Sequence, residues 1–373
     1  MAAEPEERVA HDAVDAAHLT RVLRGAGYSG AVVAAFQRSL VGGKSHGGGA
    51  LYRFQLDLAP NSAEAPATLI LKAAQHVPSQ SQDPSYTRRE LDCYRANLFA
   101  GLGARLLVPR AYATDADADF GRFWIWMEDL GDAFDVAWTP GPLAEALRDL
   151  AELHAAWWGR AAELARMPFL RWRAQAMYNG LWVDRIAANC AAIECHPHER
   201  LIATVFTPSR QRLLMRLSAA ADLVYPRLER LPQTLLHQDV WLPNLGRRAG
   251  KTALIDWSYA GLGTPGAELS QSYALLVQMW GQQTDDQLLL EALYTGLTMD
   301  RRLPISFDEL LAGYELTFCL RPCHALGGPV LGGILRGRAT MVGSDDLHER
   351  LAAAETVFAR IERGVQRLDD PMS

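Results

Sequence analysis

The chain has 373 residues, of which 49% are hydrophobic and 21% are charged, and its formal net charge is −6. This composition excludes a disordered or collagen-like protein, and the length favours two domains or lobes with a substantial apolar core. Because acidic residues slightly outnumber basic ones, the chain offers no basic field for nucleic acid or anionic lipid. We therefore expect no nucleic-acid partner.

The sequence also lacks the features of a secreted or membrane protein. Its apolar runs fall far short of the roughly 20 residues that cross a bilayer, and its acidic N-terminus does not resemble a secretory signal. The five cysteines are dispersed and odd in number, which favours reduced thiols over a disulfide framework. These observations predict a cytoplasmic protein without a membrane partner.

The first third of the chain has the pattern of a small antiparallel sheet with helices. The predicted ranges are 13–27 for a first helix, 31–36, 51–58 and 67–72 for three strands, 87–102 for a second helix, and 106–112 and 123–127 for two further apolar runs. Gly25 and Gly27 end the first helix, and the third strand is expected to end on Lys72.

From Pro140 onward nearly every long segment has a helical period. The predicted helices cover 141–160, 174–192, 208–230, 266–282, 285–297, 307–321 and 344–367. The interruption near residue 130 predicts an N-terminal lobe of residues 1–129 and a C-terminal lobe of residues 130–373. The predicted fold class is therefore α+β, with a small antiparallel-sheet lobe carrying one main helix and a larger, mainly helical lobe. This architecture suits a ligand held between the lobes.

A motif with a chemical meaning lies between residues 237 and 256. His237, Asp239 and Asn244 fit the pattern H-x-D-x-x-x-x-N, and Asp256 follows at the end of a short apolar run. Transfer of a phosphoryl group to a hydroxyl needs a carboxylate that accepts the proton and oxygen ligands that hold Mg²⁺ on the phosphates. The alternative is that Asp239 and Asn244 form a simple turn, since loops favour both residue types.

Three further segments extend the pattern. They are L-I-D-W at 254–257, the glycines at 263 and 266 with the E-L pair at 268–269, and L-A-E-L-H at 150–154. With these segments, residues 18–282 resemble the aminoglycoside phosphotransferase and choline kinase-like family, small-molecule relatives of the protein kinases. The resemblance implies a bilobal protein-kinase-like fold, with Asp239 as catalytic base and Asn244 and Asp256 as metal ligands. It also implies ATP and Mg²⁺ as cofactors, with GTP not excluded.

Four residues outside the motif are candidates for contacts with the nucleotide. A kinase-like lobe needs a lysine at the end of its third strand to reach the phosphates, and a glutamate early in the next helix to pair with it. Lys72 and Glu90 occupy these positions. Glu128 and Leu130 resemble the family's hinge, whose main-chain groups bond the adenine. The alternative is that Lys72 and Glu90 are ordinary surface residues.

The glycine-rich loop at 42–49 is a candidate phosphate-binding loop. Its Gly43, Gly47 and Gly48 can bring backbone N–H groups close to phosphate oxygens, and Ser45 can add a donor. The spacing is not the G-x-G-x-x-G of protein kinases, and a mobile hairpin tip is the alternative.

Two residues of the motif indicate what kind of kinase this is. His237 is expected to brace the backbone around Asp239, because Asp239 already supplies proton acceptance. Gln238 stands where protein kinases have an arginine that reads a phosphorylated activation loop. Gly266 follows Asp256 by only ten positions, which leaves no room for such a loop. A small-molecule acceptor is therefore favoured over a protein.

The identity of the acceptor is the least determined feature. Its pocket is predicted to include Trp241, Trp257, Glu268 and Trp280. The helices after Asp256 carry acidic and aromatic groups, without the dense carboxylate cluster that a polyamine would need. The favoured function is a kinase that phosphorylates a hydroxyl of an antibiotic or other natural product. The alternatives are a metabolic kinase for choline, a sugar or a hydroxy acid, and a non-catalytic nucleotide-binding relative. The sequence indicates no oligomeric state.

Overall fold

The computed structural model describes residues 14–41, 50–62, 64–75, 88–117, 121–170, 183–280, 285–337 and 346–370. The elements of its N-terminal part are helix α1 (Ala16–Gly25), strands β1 (Val33–Leu40), β2 (Ala50–Leu58) and β3 (Thr68–Gln75), helix α2 (Arg89–Arg95), and strands β4 (Leu106–Leu107), β5 (Ala111–Asp117) and β6 (Arg122–Glu128). Five of these strands form an antiparallel sheet in the order β1-β2-β3-β6-β5.

Helix α1 packs on the sheet through the apolar residues that recur along one of its faces. Asp15 caps the helix by accepting a hydrogen bond from the backbone N–H of His18 at 2.6 Å. Leu19 and Leu23 are fully buried in one cluster with Phe54 and Leu69 of the sheet. This cluster is the core of the N-terminal part.

The predicted end of the third strand is wrong. Strand β3 continues to Gln75, so Lys72 lies within it, between Leu51 of β2 and Ile125 of β6. A side chain in mid-strand is held by both neighbouring strands, and this placement gives Lys72 a better-defined position than a strand end would.

The predicted extent of the second helix is also wrong. Helix α2 has seven residues and ends at Arg95, well before Leu102. Asn97 adopts a left-handed backbone with φ of 54°, a conformation that ends a right-handed helix. Turns occupy residues 96–101.

Helices predominate in the C-terminal part. They are α3 (Pro140–Ala156), α4 (Ala161–Leu164), α5 (Val183–Ala192), α6 (Glu199–Val205), α7 (Pro208–Ser218), α8 (Ala221–Leu228), α9 (Pro265–Trp280), α10 (Asp286–Thr295), α11 (Phe307–Phe318), α12 (Arg321–Ala325), α13 (Leu331–Leu335) and α14 (Leu347–Asp369). The predicted helix at 208–230 is divided into two, and the predicted helix at 307–321 ends at Phe318, with α12 beginning at Arg321. Between α11 and α12 the backbone leaves the helical region at Leu320, just before Pro322.

Four short strands lie among these helices: β7 (Thr234–Leu236), β8 (Leu245–Arg248), β9 (Lys251–Leu254) and β10 (Gly261–Gly263). Strands β7 and β10 pair with each other, and β4 joins β9 and β8 in a three-stranded sheet. Strand β4 runs parallel to β9, with Leu106 opposite Thr252. The segment after α2 is thereby fixed to the C-terminal part.

The predicted α+β class, with a small antiparallel sheet and a larger helical part, is confirmed. Most of the buried apolar residues belong to one cluster within the helical part. Within the described residues, no helix is both long and apolar enough to cross a membrane.

Candidate active site

Three charged side chains from separate elements meet beside the sheet. The Lys72 ammonium donates to the Glu90 carboxylate and lies 3.0 Å from Oδ1 of Asp256. Glu90 is only 2% exposed. Burial opposes the charge on Lys72, but Asp256 and Glu90 outweigh this effect and raise its pKa. The structure thus brings together three residues that the sequence separates by up to 184 positions.

Helix α2 is held in position by an arginine that the sequence analysis missed. Arg89 is 1% exposed although it neighbours Glu90. Its guanidinium donates to the carbonyl of Phe169 at 2.7 Å and to the carbonyl of Ser258. Because Ser258 is two residues beyond Asp256, Arg89 fixes the helix that carries Glu90 against the turn that carries Asp256. The sequence alone does not predict this contact, because nothing distinguishes Arg89 from an exposed arginine beside a glutamate.

Asp256 lies in a left-handed turn directly after β9. Its φ is 63°, and its carboxylate caps the following turn by accepting from the backbone N–H of Ser258 at 3.4 Å. The side chain is 36% exposed. Burial raises its pKa, but Lys72 outweighs this effect and brings it to about 2. The carboxylate is therefore ionised at neutral pH and available as an oxygen ligand.

The loop that follows β7 places Asp239 and Asn244 in direct contact. The Asn244 amide nitrogen donates to the carbonyl oxygen of Asp239 at 3.0 Å and to its Oδ2 at 3.1 Å. Burial raises the pKa of Asp239 to about 6; the guanidinium of Arg321 opposes this shift, and Asp256 adds to it. Because the Asn244 nitrogen faces Asp239, its Oδ1 faces away. Asn244 and Asp256 therefore offer amide and carboxylate oxygens, which suit Mg²⁺.

His237 has the bracing position that the sequence analysis expected. Its Nε2 donates to the carbonyl of Ile255 at 2.9 Å, and its Nδ1 accepts from the backbone N–H of Asp239 at 3.2 Å. These partners fix the neutral tautomer with the proton on Nε2. Burial lowers the pKa of His237 to about 4, so the ring is uncharged at neutral pH. The contacts join the loop to the strand that precedes Asp256.

Glu268 lies beneath the loop, and its prediction as an acceptor-pocket residue is corrected by this placement. It is fully buried in α9 and accepts from the backbone N–H groups of His237 at 2.7 Å and Gln238 at 2.6 Å. Gln238 has φ of 61°, a conformation that non-glycine residues rarely adopt. The two hydrogen bonds hold this strained backbone in place. Burial raises the pKa of Glu268 to about 8.

Gly266 allows α9 to carry Glu268 this close to the loop. A Cβ atom at Gly266 would lie 2.1 Å from the carbonyl oxygen of Leu310 and 2.5 Å from the backbone nitrogen of Tyr314, both in α11. Only glycine permits such an approach between the two helices. Gly266, which the sequence analysis noted, therefore determines how closely α9 packs against α11.

Trp257 belongs to the core, which corrects its prediction as a wall of the acceptor pocket. It is fully buried, with its ring 4.6 Å from His237 and 4.3 Å from Phe99. Phe99 in turn packs edge-on against Tyr94 of α2 at 5.0 Å. These rings form a continuous contact from the loop to α2, and Trp257 presents no surface to a ligand.

The segment L-A-E-L-H lies on α3 and supports the site from behind. Glu152 is 4% exposed and accepts four backbone hydrogen bonds, from residues 103–106, at 2.5 to 3.1 Å. His154 lies 3.2 Å from the carbonyl of Leu235 through Nδ1, and its own carbonyl accepts from the Thr234 hydroxyl at 2.8 Å. Burial lowers the pKa of His154 to about 4. This segment thus fixes both β7 and the turn before β4.

The remaining predicted residues are placed as follows. The backbone N–H of Glu128 donates to the Arg110 carbonyl at 2.9 Å, so this N–H is already bonded within the protein. Leu130 is buried, and its carbonyl accepts from Ala133 at 3.2 Å. Trp241 is partly exposed. The predictions at Gly43, Ser45, Gly47 and Gly48, and the side chain of Trp280, lie outside the described residues.

A cavity of about 370 Å³ lies beside α2, away from Asp239. It is lined by residues of the α2–β4 turns and the segment before β5, including Tyr94, Phe99, Leu106 and Val108. The residues predicted to act in catalysis or metal binding do not line it.

Comparison with known proteins gives one family and one fold. The sequence profile of the phosphotransferase enzyme family (APH) matches residues 63–304. The structure of a microcompartment-associated aminopropanol kinase is 17% identical, with 93% of this chain and 98% of that chain aligned and a TM-score of 0.53. The aminoglycoside phosphotransferase from Alicyclobacillus acidocaldarius is 14% identical, with 91% and 92% aligned and a TM-score of 0.50. These likenesses show a shared fold. No curated protein sequence matches the chain.

Proposed function

The chain belongs to the phosphotransferase enzyme family, and we propose that it moves the γ-phosphate of ATP to a hydroxyl group of a small molecule. The family resemblance predicted from the sequence is thereby confirmed. The observation that carries the proposal is the pair of arrangements at one site, Asp239 with Asn244 and Lys72 with Glu90 and Asp256. They supply a base, oxygen ligands and a cation, the groups that phosphoryl transfer needs.

In the proposed reaction, Asp239 accepts the proton of the acceptor hydroxyl as its oxygen attacks the γ-phosphorus. The bond from that phosphorus to the β,γ-bridging oxygen breaks, and ADP leaves. Asn244 Oδ1 and the Asp256 carboxylate are the proposed ligands of Mg²⁺, which when bound neutralises charge on the phosphates. The Lys72 ammonium, held by Glu90, contacts the α- and β-phosphates. Catalysis then rests mainly on positioning and charge stabilisation.

The nucleotide is proposed to bind to an N-terminal lobe of residues 1–129, with GTP as the alternative to ATP. The carbonyl of Glu128 and the main chain at Leu130 are the proposed contacts to the base, and the loop with Gly43, Ser45, Gly47 and Gly48 is proposed to cover the phosphates. Residues 130–373 are proposed to supply the catalytic groups and the acceptor site. We further propose that the protein acts in the cytoplasm.

For the acceptor we propose an antibiotic or other natural product, with an amino alcohol such as aminopropanol or choline, a sugar or a hydroxy acid as the metabolic alternative. The two structures of similar fold described above are named for an aminoglycoside and for aminopropanol, which supports testing both classes. Trp241 is the residue of the predicted pocket that remains a candidate for lining it.

The test is a coupled assay of ADP release from Mg·ATP against aminoglycosides, other antibiotics, aminopropanol, choline, sugars and hydroxy acids. Asp239→Ala removes the proposed base, and Asp222→Ala, which removes an exposed carboxylate on α8, is the control. We expect one class to stimulate release in the wild type and the control, and not in Asp239→Ala. Nucleotide binding should persist in all three proteins.

Two results would contradict the proposal. Wild-type turnover in Asp239→Ala would remove Asp239 from the mechanism. Nucleotide binding without ADP release, with every acceptor and with water, would favour the non-catalytic relative instead.

A further inference from the structure

Arg321 projects from the C-terminal helices to the loop that carries Asp239. It is the first residue of α12, and Leu320 before it has φ of −110° and ψ of −123°, outside the helical region. This break between α11 and α12, followed by Pro322, lets the Arg321 side chain leave the direction of α11. The side chain is only 12% exposed.

The Arg321 guanidinium contacts both the backbone and the side chain of the loop. It donates to the carbonyl of Gln238 at 2.9 Å and to Oδ1 of Asp239 at 3.3 Å. With the Gln271 amide oriented to suit the donors around it, its oxygen lies 2.8 Å from Nε of Arg321. The guanidinium also lies over the ring of Tyr259, 4.7 Å from the ring centroid.

These contacts hold the Asp239 carboxylate from two sides. Oδ1 faces Arg321, and Oδ2 accepts from the Asn244 amide at 3.1 Å. A carboxylate with a separate partner on each oxygen cannot rotate about its Cβ–Cγ bond without losing one of them. Since a base must meet its hydroxyl within hydrogen-bonding distance, a fixed carboxylate favours the reactive geometry.

We propose that Arg321 is a positioning residue of the phosphotransferase, which orients the Asp239 carboxylate toward the acceptor hydroxyl. This inference rests on the proposed function. Arg321 reaches the loop from the helices that follow Asp256, the region in which the acceptor is expected to bind. Arg321 therefore links the orientation of the Asp239 carboxylate to the position of α11 and α12.

Other buried arginines of the C-terminal helices have a different placement. Arg360, with a side chain 16% exposed, forms a two-pronged ion pair with Asp286 at 2.7 Å, joining α14 to α10. The Arg360 ion pair joins two helices, whereas Arg321 contacts the loop that carries Asp239. Arg360 is thus a matched control for the loss of a buried guanidinium.

The experiment compares the wild-type protein with Arg321→Ala, Arg321→Lys and Arg360→Ala. Steady-state ADP release from Mg·ATP is measured with water as the acceptor and with 1-amino-2-propanol added, alongside ADP affinity and Tm. We expect kcat to fall about 100-fold in Arg321→Ala because the base is misplaced. The KM for ATP and the affinity for ADP should stay within about twofold of wild type.

Chemical rescue separates positioning from a purely structural role. Methylguanidinium added to Arg321→Ala should restore part of the lost kcat, and it should not change the kcat of Arg360→Ala. Arg321→Lys should have an intermediate kcat, because an ammonium keeps the charge but not the planar fork. If Arg321→Ala does not fold, Arg321→Lys with normal ADP affinity and lowered kcat still supports the inference.

The inference is overturned if a folded Arg321→Ala or Arg321→Lys retains the wild-type kcat. It is also overturned if the kcat loss comes with weakened ADP binding and methylguanidinium has no effect. A wild type that binds ADP but releases none from ATP with either acceptor or with the acceptor panel contradicts the proposed function instead.

Discussion

The site joins two regions that are constructed differently. The loop from His237 to Asn244 is one continuous segment, held from beneath by backbone hydrogen bonds to Glu268 and by the close seating of α9 at Gly266. The cluster of Lys72, Glu90 and Asp256 comes from three distant elements and is held by charge. The loop therefore depends on packing within the helical part, while the cluster depends on how β3, α2 and the turn after β9 meet.

The largest effect should follow from removing the cation of the cluster. Lys72→Met leaves Glu90 and Asp256 without their shared partner and removes the proposed phosphate contact. We expect kcat/KM for ATP to fall about 100- to 1,000-fold. Steady-state kinetics with varied ATP, and Tm as a check on folding, measure the effect.

Lys72→Arg is the matched variant, because it keeps the charge but places a larger, planar group between two carboxylates. Three of the 37 lysine and arginine residues of this chain are lysines, so a lysine here is unusual for its composition. We expect Lys72→Arg to fold and to remain much less active than wild type. Full activity in Lys72→Arg would show that the cluster needs only a positive charge.

The next effect concerns the packing beneath the loop. In Gly266→Ala, the new Cβ would overlap the carbonyl of Leu310, and α9 must move away from α11. We expect a loss of about 3 kcal/mol in the free energy of unfolding, together with reduced turnover because Glu268 moves with its helix. Urea unfolding and the ADP-release assay measure the two effects.

Gly141→Ala in α3 is the control for Gly266→Ala, because no atom lies within 4 Å of the Cβ that it would add. This substitution should leave stability unchanged or raise it slightly. Equal stability of Gly266→Ala and Gly141→Ala would mean that α9 does not pack as closely against α11 as described.

The same contrast explains what the sequence could and could not predict. Asp239, Asn244 and Asp256 follow one another closely in the chain, so a local motif was enough to predict them as residues of the site. The ion pair of Lys72 with Asp256 is a tertiary contact between distant segments, and the sequence analysis did not predict it. The fold class followed from the change along the chain from strand to helical periodicity, and the order of strands and helices confirms that class.

The residues that were missed or misassigned share one cause. Residue type indicates which chemistry a side chain can do, but not which way it faces. Trp257 and Glu268 neighbour the motif yet turn into the core, because the loop needs rings and acceptors beneath it. Arg89 and Arg321 make their contacts through side chains of an abundant residue type, without periodicity or motif to distinguish them.

A smaller effect should appear where Glu152 of α3 holds the turn before β4. Glu152→Gln keeps the shape but loses one acceptor oxygen for two of four backbone N–H groups, so we expect a loss of about 2 kcal/mol at neutral pH. Glu163→Gln, in an exposed pair with Arg160, is the control and should leave the free energy of unfolding close to that of the wild type.

The pH dependence of this effect has a defined sign. Burial raises the pKa of Glu152, but backbone hydrogen bonds from Arg105, Leu106 and Ala104 outweigh it, and the net pKa is lowered. A lowered pKa in the folded state contributes stability above the unfolded pKa of about 4.3, and this contribution is lost as the pH falls below that value. The stability difference between wild type and Glu152→Gln should therefore shrink on acidification. A difference that is constant from pH 7 to about pH 3 would contradict this account.

The smallest effect should come from Thr264, just before α9. Its hydroxyl is buried and has no hydrogen-bond partner among the described residues, and its methyl group faces Gly313 of α11. If the position of α9 against α11 depends on packing alone, Thr264→Val should raise the free energy of unfolding by about 1 kcal/mol. The reason is that an unsatisfied hydroxyl is replaced by a methyl group of similar size. Urea unfolding measures this gain, and turnover should not change. A loss of stability in Thr264→Val would show that the hydroxyl makes a polar contact where α9 packs against α11. The position of α9 would then depend on hydrogen bonding at Thr264 as well as on close packing.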